Sequence, residues 1–240
     1  MKKPVFRLFT LVVLFGVYGC VNSKYTSKDY DKSGKKNVGV LRPISIIALI
    51  EEKNQAKYDS VLSAQTASQL LSSTIEMVGN DKNCKEINLD NVTQKKVYDE
   101  ILEIGSKIHQ AKGKTQKELV ASSYKMPDTI YNILNDNNLD QLVISYHRGF
   151  TRTKANYRNQ NLKNLGVGLL TLGMYIPIAI KSNSLLYTWV LDKSNRSIVF
   201  SNKSLEEIEP VDFAQFSQQI CGLYLNFYTA NTPNGPCYHQ

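Results

Sequence analysis

The feature that most constrains the fold is the run Ile44–Ile50, ISIIALI, which is apolar almost throughout and rich in β-branched residues. Such a run predicts a strand that is buried on both faces, as in a parallel or mixed sheet. Apolar residues at helical spacing follow over residues 55–78, and Gly79 supplies a typical helix stop. A buried strand that leads directly into a helix predicts the first unit of an α/β domain.

Three further segments show the apolar spacing of helices. The first begins at Asn91, which can form a capping box with Gln94, and the others begin near Pro127 and Pro210. Their inward faces are predicted to consist of Val97, Ile101, Ile104 and Ile108 in the first, Ile130, Ile133 and Leu134 in the second, and Phe213, Phe216, Ile220, Leu223 and Phe227 in the third.

The remaining core strands are expected in the second half of the chain. Residues 142–146, LVISY, are typical of a core strand, and residues 185–191 are expected to pair with residues 197–202 across a polar turn. The sequence therefore predicts an α/β fold, with α+β as the alternative. In either case we expect a mixed sheet with packed helices in a two-layer or three-layer domain.

The amino terminus has the organisation of a bacterial secretory signal. Lys2, Lys3 and Arg7 form a positive leader, residues 8–17 are almost wholly apolar, and small residues stand just before Cys20. The apolar run is shorter than the roughly 20 residues that a membrane-spanning helix needs. The pattern therefore indicates export rather than a membrane span.

The end of this leader, GVYGC, resembles the lipobox of bacterial lipoprotein precursors, in which a small residue precedes a lipid-modified cysteine. Gly19 and Cys20 match that pattern, whereas Val17 and Tyr18 depart from its commonest residues. The resemblance implies that residues 1–19 are a signal peptide and that Cys20 carries diacylglycerol and palmitate. An ordinary signal peptide with an incidental cysteine is the alternative.

Lipid at Cys20 would tether the mature protein to a membrane without spanning it. Each buried methylene contributes about 0.8 kcal/mol, and more than one acyl chain is enough for stable anchoring. Val21 follows Cys20, where an Asp retains many lipoproteins in the inner membrane. The resemblance therefore implies an outer-membrane location, facing the periplasm.

Length and charge set broad limits on the mature chain. Removing the 19-residue leader from 240 residues leaves 221, which fits a flexible tether over residues 20–38 and a single domain over residues 39–240. The leader contains three of the 29 basic residues and no acidic one, so the mature net charge is +5. A moderately basic surface beside anionic lipid or glycan requires no nucleic-acid partner.

The cysteines predict at most one disulfide. Cys20 is assigned to lipid, and Cys221 with Cys237 is the most plausible pair because both lie near the carboxyl terminus. Cys84 is then unpaired. None of these cysteines forms a CxxC pair or stands near a histidine at metal-ligand spacing, so we predict neither a metal nor a redox site.

One segment combines positive charge with a long apolar run. No acidic residue occurs between Asp140 and Asp192, and residues 165–180, LGVGLLTLGMYIPIAI, carry no charge at all. The basic residues of the segment are Arg148, Arg152, Lys154, Arg158, Lys163 and Lys181, and tyrosines are interleaved at 146, 157 and 175.

Three interpretations of this segment stay open. In the first, the apolar run is buried core beside a solvated basic loop. In the second, the cations meet lipid phosphates or an anionic glycan while the apolar run meets a bilayer or a protein partner. In the third, the segment pairs with other copies of the chain. The contact residues that we predict for an anionic ligand or partner are Tyr146, Arg148, Arg152, Lys154, Tyr157, Arg158 and Lys163.

The sequence contains no motif that indicates an enzyme. His109, His147 and His239 are far apart, and His147 is expected at an exposed strand end. GxSxG, Gly-rich phosphate-loop and HExxH patterns are missing. We therefore predict no catalysis and no cofactor, with a periplasmic hydrolase as the alternative from another class. A pocket that held His147 beside a carboxylate would favour chemistry, and a protruding surface led by Arg148, Arg152 and Arg158 would favour binding.

The order of elements also resembles the α/β domain of periplasmic lipoproteins such as the curli-secretion channel protein and the TolB amino-terminal domain group. The resemblance is carried by PISIIALI, by NNLDQLVISYHRG and by LLYTWVLDKSNRSIVFSN, within residues 40–228. It implies a lipid-anchored, non-catalytic binding or assembly module of the envelope. The alternative within this class is a subunit of an oligomeric secretion or envelope-assembly machine, which would make the chain a homo-oligomer.

Overall fold

The computed structural model describes residues 24–28, 30, 36–51, 55–79, 83–172, 174–175, 177–224 and 227–228, which form one mixed sheet with helices on both of its faces. The strands are β1 (Tyr25–Thr26), β2 (Asn37–Leu41), β3 (Ile44–Ile50), β4 (Ala56–Tyr58), β5 (Asn83–Ile87), β6 (Gln141–Arg152), β7 (Ser182–Asp192) and β8 (Ser197–Glu206). The helices are α1 (Ser60–Gly79), α2 (Asn91–Gln110), α3 (Gly113–Ser123), α4 (Asp128–Asp136), α5 (Lys154–Leu170) and α6 (Phe213–Tyr224). Among these helices none combines the length and apolarity needed to cross a bilayer.

The long strand β6 organises the sheet, whose order is β1-β8-β7-β6-β2-β5. On one side β6 pairs antiparallel with β7 along its whole length. On the other side its first part pairs with β2 and its second part with β3, both parallel. β4 then pairs antiparallel with β3. The predicted α/β fold with a mixed sheet and packed helices is therefore confirmed.

Alternation along the strands produces a core on each face of the sheet. Leu142 and Ile144 of β6 point into the core beneath α2, α3 and α4, whereas Val143 points into the core beneath α1 and α6. All three side chains are fully buried. A strand covered on both faces reads as a continuous apolar run, which is why LVISY was recognisable in the sequence. The domain has three layers.

The tether expected over residues 20–38 stays a prediction, although several described residues of that range contact the domain. Tyr25–Thr26 forms β1, and Tyr25 is only 4% exposed because its ring joins the core beneath α2 and α3. Lys36 Nζ lies 2.7 Å from Asp192 Oδ2, whose side chain is almost fully buried. A two-residue strand leaves no periodicity, so composition alone indicated a loop. Cys20 lies outside the described residues, and its lipidation stays a prediction.

Two helix starts differ from the predicted ones. The first helix begins at Ser60 rather than near residue 55, because Asp59 Oδ1 accepts a hydrogen bond from Leu62 N at 2.9 Å and residues 56–58 form β4. The second helix is capped by Asp90, which accepts from the backbone N–H groups of its first turn, rather than by a capping box at Asn91. Gln94 donates to Arg42 O instead.

Burial departs from the predictions at three places. Ile46 of β3 is 38% exposed, so ISIIALI forms a strand as predicted but lies open on part of one face. Phe213 was expected to face inward and is 65% exposed, since it stands at the first position of α6. His147 was expected at an exposed strand end and is fully buried.

Candidate functional site

Residues 153–181 connect the neighbouring strands β6 and β7 and form a projection that we call the finger; all of them except 173 and 176 are described. Its base is closed by Arg152, whose backbone N donates to Lys181 O at 3.0 Å and whose Nε donates to Ile180 O at 2.9 Å. Thr153 N donates to Ile50 O and ties the base to β3. We call this end of the sheet the finger end.

The outward arm of the finger is α5, which begins at an N-cap where Thr153 Oγ1 accepts from Asn156 N. At a rise of about 1.5 Å per residue its 17 residues extend roughly 25 Å. Within the described chain, α5 packs extensively against no other helix or strand. It is also the one described helix without a buried apolar side chain.

The tip of the finger is a closed turn. Thr171 Oγ1 donates to Tyr175 O at 3.0 Å, and Met174 N donates to Thr171 O at 3.0 Å. Leu172 adopts a positive φ of 53°, which allows the chain to reverse after the helix. These bonds give the tip a defined shape although it contacts little else.

The two sides of α5 are reversed relative to an ordinary surface helix. Asn156, Asn164 and Gly168 are buried along one stripe. Exposed leucines form the opposite stripe at i, i+3 and i+7, and they are Leu162, Leu165 and Leu169. A helix of a soluble domain normally turns its apolar stripe inward. The reversal indicates that the leucine stripe has its partner outside the described chain.

Exposure rises toward the tip. Leu170 is 87% exposed, Leu172 89% and Met174 85%, and Ile178 on the returning arm is 89% exposed. The interpretation of residues 165–180 as buried core is therefore wrong for most of the described part of that range, although Gly168 is buried. Contiguous exposed apolar side chains of this kind are typical of protein or membrane contact sites.

Cations continue the leucine stripe toward the base of the finger. Lys154 and Arg158 stand at helical spacing before Leu162, and both are exposed. Lys163 is also exposed, on the flank of the stripe. Lys181, at the end of the returning arm, lies 3.5 Å from Glu209 through its Nζ. The outer face of α5 therefore changes from cationic near the sheet to apolar at the tip.

Next to the finger, part of one sheet face is left uncovered by the helices that the structure describes. Tyr146, Arg148 and Phe150 of β6 point to this face, and Arg148 is the exposed one of the three. In register with Arg148 are Ile46 on β3 and Leu185 on β7, with Leu205 of β8 at the end of the row. We call this surface the open sheet face; it places one guanidinium among half-exposed apolar side chains.

The seven predicted contact residues lie at the finger end but divide between two surfaces. Tyr146, Arg148 and Arg152 belong to β6. Lys154, Tyr157, Arg158 and Lys163 belong to α5. Arg152 also has a structural role, because its NH1 donates to Asn156 Oδ1 at 2.8 Å in addition to its bond with Ile180. The prediction omitted the leucine stripe, whose helical spacing from Leu162 onward was the available signal.

His147 lies in a sealed polar cluster on the opposite face of β6. Its Nδ1 is 2.9 Å from Ser45 Oγ and its Nε2 is 2.9 Å from Ser184 Oγ. Ser184 donates its proton to Gln219 Oε1 at 2.5 Å, so it accepts from His147 Nε2–H, and Ser45 donates to Nδ1. Burial lowers the pKa of His147 to about 3, which keeps the ring neutral.

The surroundings of His147 differ from the pocket with a carboxylate that would have favoured chemistry. Its hydrogen-bond partners are two serines rather than a carboxylate, and the side chain is fully buried. Recesses lined by Asn37 and Asn138, and by Lys36 and Arg196, lie at the other end of the sheet. Within the described residues there is no group of three or more His, Cys, Asp or Glu side chains that could hold a metal ion.

Two of the four cysteines, Cys20 and Cys237, lie outside the described residues. Cys84 is a free thiol, and burial raises its pKa to about 11, which makes it a poor nucleophile. Cys221 is disulfide-bonded, with a partner outside the described part of the chain. Its pairing with Cys237 therefore stays a prediction.

No family model matches this sequence, and no curated protein is recognisably similar to it. Solved structures that match in part include the PelC dodecamer from Paraburkholderia phytofirmans and a single-residue variant of it, each at 7% identity and a TM-score of 0.37, covering 84% of this chain and 95% of the other. The LpoB C-terminal domain from Salmonella enterica matches at 8% identity and a TM-score of 0.27, covering 73% of this chain and 86% of that domain. These matches assign no family, and the resemblance to the curli-secretion and TolB groups stays a prediction.

Proposed function

We propose that this chain is a lipid-anchored lipoprotein of the bacterial envelope that acts as a non-catalytic binding or assembly module. Diacylglycerol on Cys20 holds it to the membrane, with the outer membrane and its periplasmic face as the location. The finger and the open sheet face are its contact surfaces. No cofactor is required for this role.

The observation that carries the proposal is the outward leucine stripe of α5. The exposed leucines Leu162, Leu165 and Leu169 beside Lys154 and Arg158 suit a binding surface and have no use in a sealed catalytic pocket. The sealed environment of His147 supports the same choice, since a buried neutral imidazole without access to solvent is unsuited to proton transfer with a substrate.

Fractionation with and without Cys20→Ala tests the anchor. We expect the parent protein to incorporate an alkyne-labelled fatty acid and to sediment with membranes, and the variant to remain unlabelled. Intact mass of the parent would show the acyl chains directly. A parent protein without acyl mass that leaves the cells with the periplasmic fraction would refute the anchor.

Crosslinking tests the contact surfaces. We expect an Arg148→Gln, Arg158→Gln variant to lose crosslinked partners that a control with Lys95→Gln and Lys107→Gln retains, because the control lysines lie on α2 away from the finger. An unchanged partner pattern in the arginine variant would exclude these two residues from the contact.

A further inference from the structure

We propose that the outer half of α5 and the tip of the finger lie in the headgroup and acyl boundary of an anionic bilayer, the same membrane that holds the lipid on Cys20. This inference rests on the proposed function, because it uses the anchor to choose which surface meets the finger.

The direction of β1 allows the anchor to reach the finger end. β8 runs toward the finger end, where Glu206 pairs with Ser184, and β1 is antiparallel to it, with Tyr25 opposite Ser201. The chain therefore enters β1 from the finger end. Cys20 is five residues before Tyr25, a reach of up to about 17 Å, which equals the rise of β8 from Ser201 to Glu206.

The order of side chains along α5 matches the order of layers in a bilayer. Lys154 and Arg158 come first on the outer stripe, then Leu162, Leu165 and Leu169, and the apolar tip comes last. Cations near the base suit lipid phosphates, and leucines toward the tip suit the acyl region beneath them. Asn156 and Asn164 are buried against the protein itself, so α5 does not offer these polar side chains to the bilayer.

Charge favours anionic lipid over a second copy of this chain as the occupant. No acidic residue occurs between Asp140 and Asp192, so two fingers placed side by side would bring Lys154, Arg158 and Lys163 against their counterparts. Anionic headgroups neutralise those side chains instead. A peripheral contact of this kind also needs no helix that spans the membrane.

Vesicle flotation of the mature chain with Cys20→Ala tests the proposal, because the acyl chain is then missing and the finger must act alone. We expect binding to vesicles of phosphatidylethanolamine with phosphatidylglycerol, and roughly fivefold weaker binding for each of Lys154, Arg158 and Lys163 changed to Gln. Vesicles of phosphatidylcholine alone should bind weakly.

A tip variant separates insertion from simple charge attraction. Leu170→Asp with Leu172→Asp should weaken vesicle binding by about a hundredfold or more, since both leucines would leave the acyl region. Val92→Asp with Leu119→Asp is the matched control, because these residues are 80% and 69% exposed on α2 and α3 and carry the same added charge. Equal binding by the tip variant and its control would overturn the proposal.

Tyr175→Trp reports the position of the tip in a way that folding defects do not imitate. Tyr175 is 63% exposed, whereas the chain's single tryptophan, Trp189, is 1% exposed. Brominated lipid should therefore quench the new tryptophan and spare Trp189. No quenching of the new tryptophan in bound protein would overturn the proposal.

Two other results have fixed meanings. The occupant is a second copy, and the proposal fails, if the Cys20→Ala protein does not bind vesicles but sediments as an oligomer that the tip substitutions abolish. If flotation and quenching succeed but native protein carries no acyl mass, the finger inference stands and the anchor in the proposed function fails.

Discussion

The body of the domain and the finger bury opposite kinds of side chains. In the body, Ile144 and Trp189 are at most 1% exposed, and the buried polar residue His147 has a hydrogen-bond partner on each ring nitrogen. In the finger, Asn164 is buried while Leu170 stands 87% exposed. The body satisfies its own apolar surface, and the finger leaves its apolar surface for something else.

The difference teaches that apolar character alone does not decide burial. Fully burying a leucine is worth about 1.5–3 kcal/mol, but that free energy is gained only where another element supplies the covering surface. The strand β6 lies between two helical layers, so its residues are covered on both sides. The leucine side of α5 is covered by no described helix or strand, so its leucines gain this free energy only when a partner covers them.

The most direct test of this difference is the same leucine-to-alanine substitution in the body and in the finger. Leu142→Ala in the body should lower the free energy of unfolding by about 2–5 kcal/mol, because it leaves a cavity in a closed core. Leu170→Ala in the finger should change it by less than about 0.5 kcal/mol. Urea denaturation followed by circular dichroism measures both. Similar losses would mean that the finger packs onto the body in solution.

Lowering the pH should destabilise the domain through its buried histidine. Burial lowers the pKa of His147 to about 3, below the ordinary value near 6.5 that it regains on unfolding. The unfolded chain therefore binds one more proton between those two pH values. The stabilisation is complete above about pH 6.5 and is lost as the pH falls, by about 1.4 kcal/mol per pH unit.

His147→Gln isolates that contribution. The variant should be less stable than the parent at pH 7.5. Between pH 6.5 and about pH 4 it should lose stability less steeply, so that by about pH 4 the parent has lost roughly 3 kcal/mol more than the variant. Urea denaturation at several pH values measures this. Parallel pH profiles for parent and variant would show that the imidazole is not held neutral by its surroundings.

A glycine substitution in the body tests how tightly its core is filled. Gly105 lies within α2, where a Cβ atom would overlap the indole ring of Trp189. Gly105→Ala should therefore destabilise the protein by about 1–3 kcal/mol, although alanine is the better helix former. Thermal unfolding measures the loss, and a gain in stability would show that Trp189 can move aside at no cost.

The sequence predicted the body more fully than the finger. The strand β6 and the hairpin of β7 and β8 were recognisable because long apolar runs and a polar turn are local signals. The strands β1, β2, β4 and β5 were not predicted, since each has at most five residues and is stabilised by its neighbours in the sheet. Short strands depend on pairing that no local pattern records.

The sequence indicated the extent of the finger but not its conformation. Charge and composition between Asp140 and Asp192 singled it out, whereas the choice between burial and exposure depended on whether another layer covers α5. His147 shows the reverse case. Alternation along β6 places it on the inner face, but its hydrogen-bond partners are Ser45 and Ser184, which lie on strands distant from it in the sequence. Neither the exposure of α5 nor the hydrogen-bond partners of His147 can be derived from the neighbouring residues in the sequence.

The smallest expected effect is the alanine substitution at Gly166, the finger's counterpart of Gly105. A Cβ at Gly166 would meet nothing within 4 Å, so only the backbone preference for helix remains, which favours alanine by about 1 kcal/mol. Since α5 opens locally without disturbing the body, this gain should appear as slower trypsin cleavage after Arg158 and Lys163, by roughly fivefold. Global unfolding and cleavage after Lys107 in α2 should not change. Faster cleavage in the finger would mean that Gly166 provides a bend that α5 needs, and the helix would then be held by contacts rather than by its own preference.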